Sequence, residues 1–164
     1  MERLWAPWRI EYIEACDKAD GCIFCMLPER GNDEEELILL RGKTAFVIMN
    51  RYPYTNGHLM VAPFKHTANM YDLSDEELVE INHLVRYCVR ALEHAMHPHG
   101  FNLGVNLGRV AGAGVENHIH WHIVPRWSGD TNFMPVLGDV RVISEGLTRT
   151  YGKLKAAMEE LGAP

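Results

Sequence analysis

The sequence predicts an α+β fold, an antiparallel sheet with one long helix packed on it and a C-terminal helix. Three observations carry this. Short runs rich in β-branched and aromatic residues fall on both sides of one long stretch with helical spacing. "YPYTNG" at 52–57 is a turn signal between two such runs. "SDEE" from Ser74 supplies a capping box through Ser74 and Glu77 and marks where the helix starts.

The elements follow in order. Residues 1–21 form an arm bearing Trp5, Trp8 and Tyr12, and "CIFC" follows at 22–25. The acidic run Asp33 to Glu36 reads as a solvated loop. Strands are expected at 37–41, 45–50 and 58–62. In the long helix Leu78, Ile81, Val85, Cys88, Leu92 and Ala95 recur at helical spacing, so one face lies on the sheet. "HPHG" at 97–100 ends it. Strands at 101–107 and 117–124 and an amphipathic helix near 147–161 complete the chain, which has no internal repeats.

Composition bounds the function. A chain of 164 residues is expected to form a single domain, 1–164, with a real core. A formal charge of −6 argues against nucleic acid as a partner, which needs a basic face, while small phosphorylated ligands stay open. No apolar run approaches the ~20 residues of a membrane span, and "MERLWAPWRI" lacks a signal peptide's apolar core. The expectation is a cytoplasmic protein, no membrane partner, and cysteines that stay reduced.

"VENHIHWHIVPRW" at 115–127 places His118, His120 and His122 at every second position. On a helix such a set points about 200° apart from one member to the next. On a strand all three project from one face, roughly 6.5 to 7 Å apart along it, with Ile119, Trp121 and Ile123 lining the other. Three buried imidazoles are costly without partners. They read as satisfied core histidines, as ligands of a catalytic metal, or as a nucleophile with its neighbours. In the last case a neutral imidazole attacks phosphorus while the others donate to phosphate oxygens.

"HIHWHIV" resembles the signature of the histidine triad (HIT) nucleotide-binding family. "AFVIMNRYPYTNGHLMVAPFKH" is similar to that family's ribose-binding strand, turn and second strand, and "FNLGVNLG" to its Asn-x-Gly segment. The resemblance covers roughly residues 22–126, the HIT core, leaving 1–21 as the N-terminal arm and 127–164 as a C-terminal extension with its helix. "LWAPWRIEYI" and "PRWSGDTNFMPV" resemble the bacterial branch of dinucleoside polyphosphate phosphorylases and hydrolases.

The resemblance implies a HIT-like fold, a homodimer and a nucleotidyl hydrolase or transferase. His120 would attack the α-phosphorus, His122 would assist the leaving oxygen, and Asn106 would bond near the scissile phosphate. Asn50 would hold the ribose hydroxyls, with a strand-end cap as its other reading. One departure stands out. Where many members carry a polar pair before the triad, this chain has "VAGAGVEN", in which Gly112 and Gly114 could bring backbone amides to phosphate in an anion nest.

Cys22 and Cys25 form a C-x-x-C that alone could be redox-active or metal-binding. By the resemblance they join His66 and His118 around a structural zinc ion, a closed Cys₂His₂ set, with a reduced metal-free pair as the alternative. No organic cofactor is expected. Cys16 has no evident partner, and Cys88 belongs to the helix's core face. His97 and His99 read as a helix terminus, His58 as no more than a support near the phosphates, and Lys65, Arg109 and Arg126 as reach for a polyphosphate tail. The expected activity is transfer of a nucleoside monophosphate from a dinucleoside polyphosphate, such as diadenosine tetraphosphate, through a covalent His120 intermediate to phosphate or water. The alternatives are a nucleoside phosphoramidate hydrolase of the same family or a noncatalytic nucleotide sensor.

Overall fold

The computed structural model describes residues 21–131 and 143–164. The aromatic arm of Trp5, Trp8 and Tyr12, and Cys16, lie outside these residues. The described elements are α1 (Ile23–Glu29), β1 (Ile38–Arg41), β2 (Ala45–Met49), β3 (Leu59–Pro63), α2 (Asp75–Met96), β4 (Gly100–Val105), β5 (Trp121–Arg126) and α3 (Leu147–Leu161). The five strands form one antiparallel sheet in the order β1-β2-β3-β5-β4, which is α+β architecture as expected.

The period of two along each strand divides the side chains between two cores. Val47 and Met49 of β2, Leu59 and Val61 of β3, and Ile119 and Ile123 of the triad segment face the helical layer. Phe46, Ile48, Met60 and Ala62 face the other side, where Phe24 of α1 covers them. Helix α2 lays Ile81, Leu84, Cys88 and Leu92 on the first face. Burying each of its large aliphatic side chains is worth about 2 kcal/mol. Its N-terminus carries the expected capping box: the Ser74 hydroxyl accepts from Glu77 N at 3.2 Å and the Glu77 carboxylate accepts from Ser74 N at 2.7 Å. Its C-terminus is His97 in the left-handed region, φ 49°, as "HPHG" implied.

Helix α3 spans the expected residues and is tied to both the sheet and α2. Tyr151 Oη donates to the Ile38 carbonyl at 3.0 Å, and Tyr87 Oη of α2 donates to the Met158 carbonyl at 2.8 Å. The β2–β3 turn needs Gly57 chiefly for its backbone conformation, since the flexible Met96 side chain could yield to a Cβ. Its φ is +77°, and a Cβ there would stand 2.8 Å from Met96 Sδ.

Two expectations are corrected. The run Asp33 to Glu36 is not simply solvated: Glu36 is buried and paired with Arg30 at 2.8 Å, and Asp33 binds Arg41 through both oxygens. The last strand does not begin at 117. Its ladder with β3 stops at the Val61–Trp121 pair, and the first two histidines precede it. There the chain bonds the loop after β3 instead, with Ile119 N donating to the Thr67 carbonyl at 2.7 Å. Helix α1 was not foreseen; seven residues containing Pro28 carry too little helical signal to be read.

Candidate active site

The triad segment keeps its alternation although only His122 lies within β5. Ile119 and Ile123 enter the helical core, and His118, His120 and His122 share the opposite face. All three are buried. Hydrogen bonds assign a separate task to each.

His118 sets Nε2 at 2.8 Å from the Pro63 carbonyl. A carbonyl only accepts, so Nε2 carries the proton and Nδ1 presents its lone pair. That Nδ1 lies 3.3 Å from Cys22 Sγ and 3.6 Å from Cys25 Sγ, and His66 Nδ1 lies 3.4 Å from Cys25 Sγ. The four donor atoms all fall within 4.8 Å of one another. A tetrahedral zinc ion with bonds of about 2.3 Å to sulfur and 2.0–2.1 Å to nitrogen spaces S and N ligands about 3.5 Å apart. The donor set therefore fits zinc in both chemistry and spacing, and the Pro63 carbonyl orients His118 as partners of metal-bound histidines do. Burial, opposed by the bond to Pro63, lowers the His118 pKa to about 4, so the ring is neutral and able to ligate. With all four positions supplied by protein, such a site is closed and structural.

His120 is held differently. Its Nδ1 lies 2.8 Å from the His118 carbonyl, which fixes the proton on Nδ1 and leaves the lone pair on Nε2. Burial lowers its pKa, and the carbonyl bond opposes that shift. The result is a neutral imidazole in the tautomer a nucleophile requires.

His122 Nδ1 lies 2.9 Å from His58 Nε2. The Tyr54 backbone N–H donates to His58 Nδ1 at 3.1 Å, and the Asn50 amide nitrogen lies 3.3 Å from the same atom. Two donors converge on His58 Nδ1, so Nε2 carries its proton and donates to His122 Nδ1. The proton of a neutral His122 is then on Nε2, poised as a donor. The Tyr54 ring stacks on that of His122 with centroids 5.7 Å apart and lies tilted by 44° against that of His58 at 4.5 Å. His58, expected to be no more than a support near the phosphates, stands behind His122. It is almost fully buried and sets the tautomer of His122. The signal was the register that places Met60 opposite His122 and so brings residue 58 alongside, and pairing register is not legible in a single strand.

Asn50 binds its own turn, its Oδ1 accepting from Tyr52 N at 2.9 Å, and its amide reaches His58. Asn106 lies in the loop after β4, with Nδ2 3.5 Å from the Gly112 carbonyl. Gly112 has φ +93°, but its N–H already donates to the Arg109 carbonyl, and Ala113 N donates to that of Gly108. Of the two glycine amides expected at phosphate, that of Gly112 is thus engaged within the turn. The cations are engaged too. Arg126 binds Asp130 and Asn102, Lys65 donates to the Asp72 carbonyl, and Arg109 stands 4.0 Å from Glu116. His99 Nδ1 accepts from Ser128 N at 2.9 Å, apart from the triad. No helix among the described residues is long and apolar enough to cross a membrane.

Comparison with known proteins agrees with this geometry. Residues 32–129 match the HIT domain. An AP-4-A phosphorylase of Mycobacterium tuberculosis is 39% identical over 158 residues, covering 92% of this chain and 80% of its own. An adenosine 5'-monophosphoramidase of Schizosaccharomyces pombe is 32% identical, covering 65% and 74%. Among solved structures, a zinc-bound histidine triad family protein from Mycobacterium smegmatis superposes with a TM-score of 0.70 at 27% identity, over 86% of this chain and 95% of that one. With a domain match over residues 32–129, a relative 39% identical over most of both chains, and three buried alternating histidines, the chain belongs to the HIT family.

Proposed function

We propose that the protein transfers a nucleoside monophosphate from a dinucleoside polyphosphate, through a covalent nucleotidyl-His120 intermediate, to inorganic phosphate. The observation that carries the reading is the bond from His120 Nδ1 to the His118 carbonyl, beside a His122 whose Nδ1 is engaged by His58. One ring offers a lone pair and its neighbour, 4.8 Å away between centroids, offers a proton.

In the first step His120 Nε2 attacks the α-phosphorus. The N–P bond forms, the bond to the bridging oxygen breaks, and the departing polyphosphate takes its hydrogen bond or proton from His122 Nε2. The positive charge that develops on His120 is shared through Nδ1–H with the His118 carbonyl. In the second step an oxygen of phosphate attacks the phosphoramidate and Nε2 leaves with its electron pair. Asn106 and the Gly114 backbone are the groups we assign to the phosphate oxygens, and Asn50 to the ribose. Similarity to the M. tuberculosis AP-4-A phosphorylase over most of both chains supports phosphate as acceptor. A phosphate held in line also has a large proximity advantage over bulk water.

Cys22, Cys25, His66 and His118 would hold zinc, whose contribution is to lock the start of the triad segment. The homodimer belongs to the same proposal. β4 is an outer strand of the sheet, and Leu103, Leu107 and Val110 stand exposed on it and just beyond. An outer strand with apolar side chains suits pairing with a second copy. A cytoplasmic setting belongs to the same proposal, since a reducing compartment keeps Cys22 and Cys25 available as metal ligands.

Product analysis tests the reading. Incubated with diadenosine tetraphosphate and labelled phosphate, the protein should yield ATP and ADP carrying the label. AMP with ATP, unchanged by millimolar phosphate, would make it a hydrolase. Turnover of adenosine 5'-monophosphoramidate alone would move it to the phosphoramidase branch.

A further inference from the structure

We infer that Phe24, the aromatic side chain between the two cysteines, is a positioning residue that holds the His120 imidazole in its attacking orientation, and that the Cys22–Cys25 pair sets where Phe24 stands. The inference rests on His120 being the nucleophile. Phe24 is 1% exposed, and its ring lies 4.7 Å from that of His120 and 5.3 Å from that of His118, tilted by 35° and 48°. It touches both the metal-facing and the reacting histidine.

His120 needs such a contact. One hydrogen bond, from Nδ1 to the His118 carbonyl, holds an edge of the ring. The χ2 torsion of histidine is broad and two-fold, so one edge contact leaves the ring free to rock and, on a flip, to exchange Nδ1 for Nε2. The Phe24 ring packs against the His120 ring, and the His122 ring meets the latter in a T-shaped contact at 70°. A flat aromatic wall resists rotation about χ2 in a way that a flexible aliphatic side chain does not. Misplacing a reacting atom by about 1 Å can cost 10²-fold in rate, so the wall matters to the chemistry.

What fixes Phe24 is the cysteine pair. Helix α1 has seven residues, no side-chain cap and a proline inside, too short to stand alone. Its N-cap is Cys22, whose carbonyl accepts from Cys25 N and Met26 N, both at 3.0 Å. The sulfurs of Cys22 and Cys25 point to His118 and His66, so binding of a cation there pins the helix on both sides of Phe24. A metal site that is closed to substrate would thereby control the aim of the nucleophile.

The test uses Phe24→Leu and Phe24→Met, which keep a buried apolar side chain and remove the flat face. Thermal melts and zinc content establish that each variant is folded and loaded. Steady-state kinetics should then show kcat reduced about tenfold with KM within twofold of wild type. Side-chain ¹⁵N spectra of His120 in the zinc-loaded protein should move from one fixed tautomer, protonated on Nδ1, to an exchange-averaged pattern, and chelating the zinc from wild type should do the same. Wild-type kcat with an unchanged His120 spectrum overturns the inference. So does a raised KM at unchanged kcat, which would make Phe24 a nucleotide contact. If the wild type turns over no nucleotide, the functional reading fails on its own, and the spectra still decide whether Phe24 positions the ring.

Discussion

His58 Nε2 lies 2.9 Å from His122 Nδ1, and both rings are buried, so the two histidines form one hydrogen-bonded unit across β3 and β5. The unit is anchored at its far end by the Tyr54 amide. Its direction of donation runs from His58 to His122, which puts the proton of a neutral His122 on Nε2, the atom our proposal uses as donor to the leaving oxygen.

His58→Ala should therefore behave as a partial loss of His122. The expected outcome is a fall in kcat of about 10- to 100-fold with little change in KM, at the low end of what positioned proton donors contribute. His122→Ala should cost at least as much, and the double variant should cost little more than His122→Ala alone. Additive losses in that double-mutant cycle would show that the two rings work independently.

Zinc content is checked by elemental analysis and melting. Wild type should carry one zinc per chain, and Cys22→Ser or Cys25→Ser should carry almost none. A ligand present at about 100 times its Kd stabilises the folded state by about 2.7 kcal/mol, which for a chain of this size shifts Tm by roughly 5–10 °C. Chelator should lower the Tm of wild type by that amount and leave the serine variants unmoved. A disulfide between Cys22 and Cys25 in the protein as purified would contradict the assignment.

Glu80 on α2 clamps the β1–β2 turn, accepting from the amides of Lys43 and Thr44 and from the Thr44 hydroxyl. Burial alone would raise its pKa, but the Thr44 hydroxyl and these amides together hold it below the ordinary carboxylate range. A depressed folded pKa stabilises above the unfolded pKa and is lost as pH falls through the folded one. Glu80→Gln should thus melt below wild type at pH 7, and the gap should close on acidification through the carboxylate range. A gap that stays constant with pH would mean that the charge on Glu80 contributes nothing.

Ser74→Ala removes the hydroxyl that accepts from Glu77 N. The loss should be about 1 kcal/mol, or roughly 2–4 °C in Tm, with turnover unchanged because the cap lies at the start of α2, outside the triad segment. An effect on kcat comparable with that of His58→Ala would contradict the separation of scaffold from site.

Local chemistry made much of this legible. Ser74 and Glu77 announced the helix start, Gly57 the turn, and the alternation of His118 and His120 with Ile119 the two faces of one segment. The C-x-x-C and two distant histidines converge as the family resemblance implied. Long-range pairing was what stayed hidden. That Glu36 meets Arg30, that His58 meets His122, and that Phe24 covers His120 all depend on how separate segments dock, and each of those side chains looks unremarkable in its own window. The shortened last strand belongs to the same class, since only the loop after β3 shows why Ile119 N bonds the Thr67 carbonyl instead of a strand neighbour.

The central claim is that His120 becomes covalently nucleotidylated, and trapping it is the most direct measurement. Protein mixed with diadenosine tetraphosphate in phosphate-free buffer, quenched at alkaline pH and digested, should yield one peptide heavier by an adenylyl group, with the group on His120. His120→Ala should give no adduct and no turnover while still binding nucleotide. An adduct on another residue, or an His120→Ala variant that turns over near the wild-type rate, would contradict the mechanism.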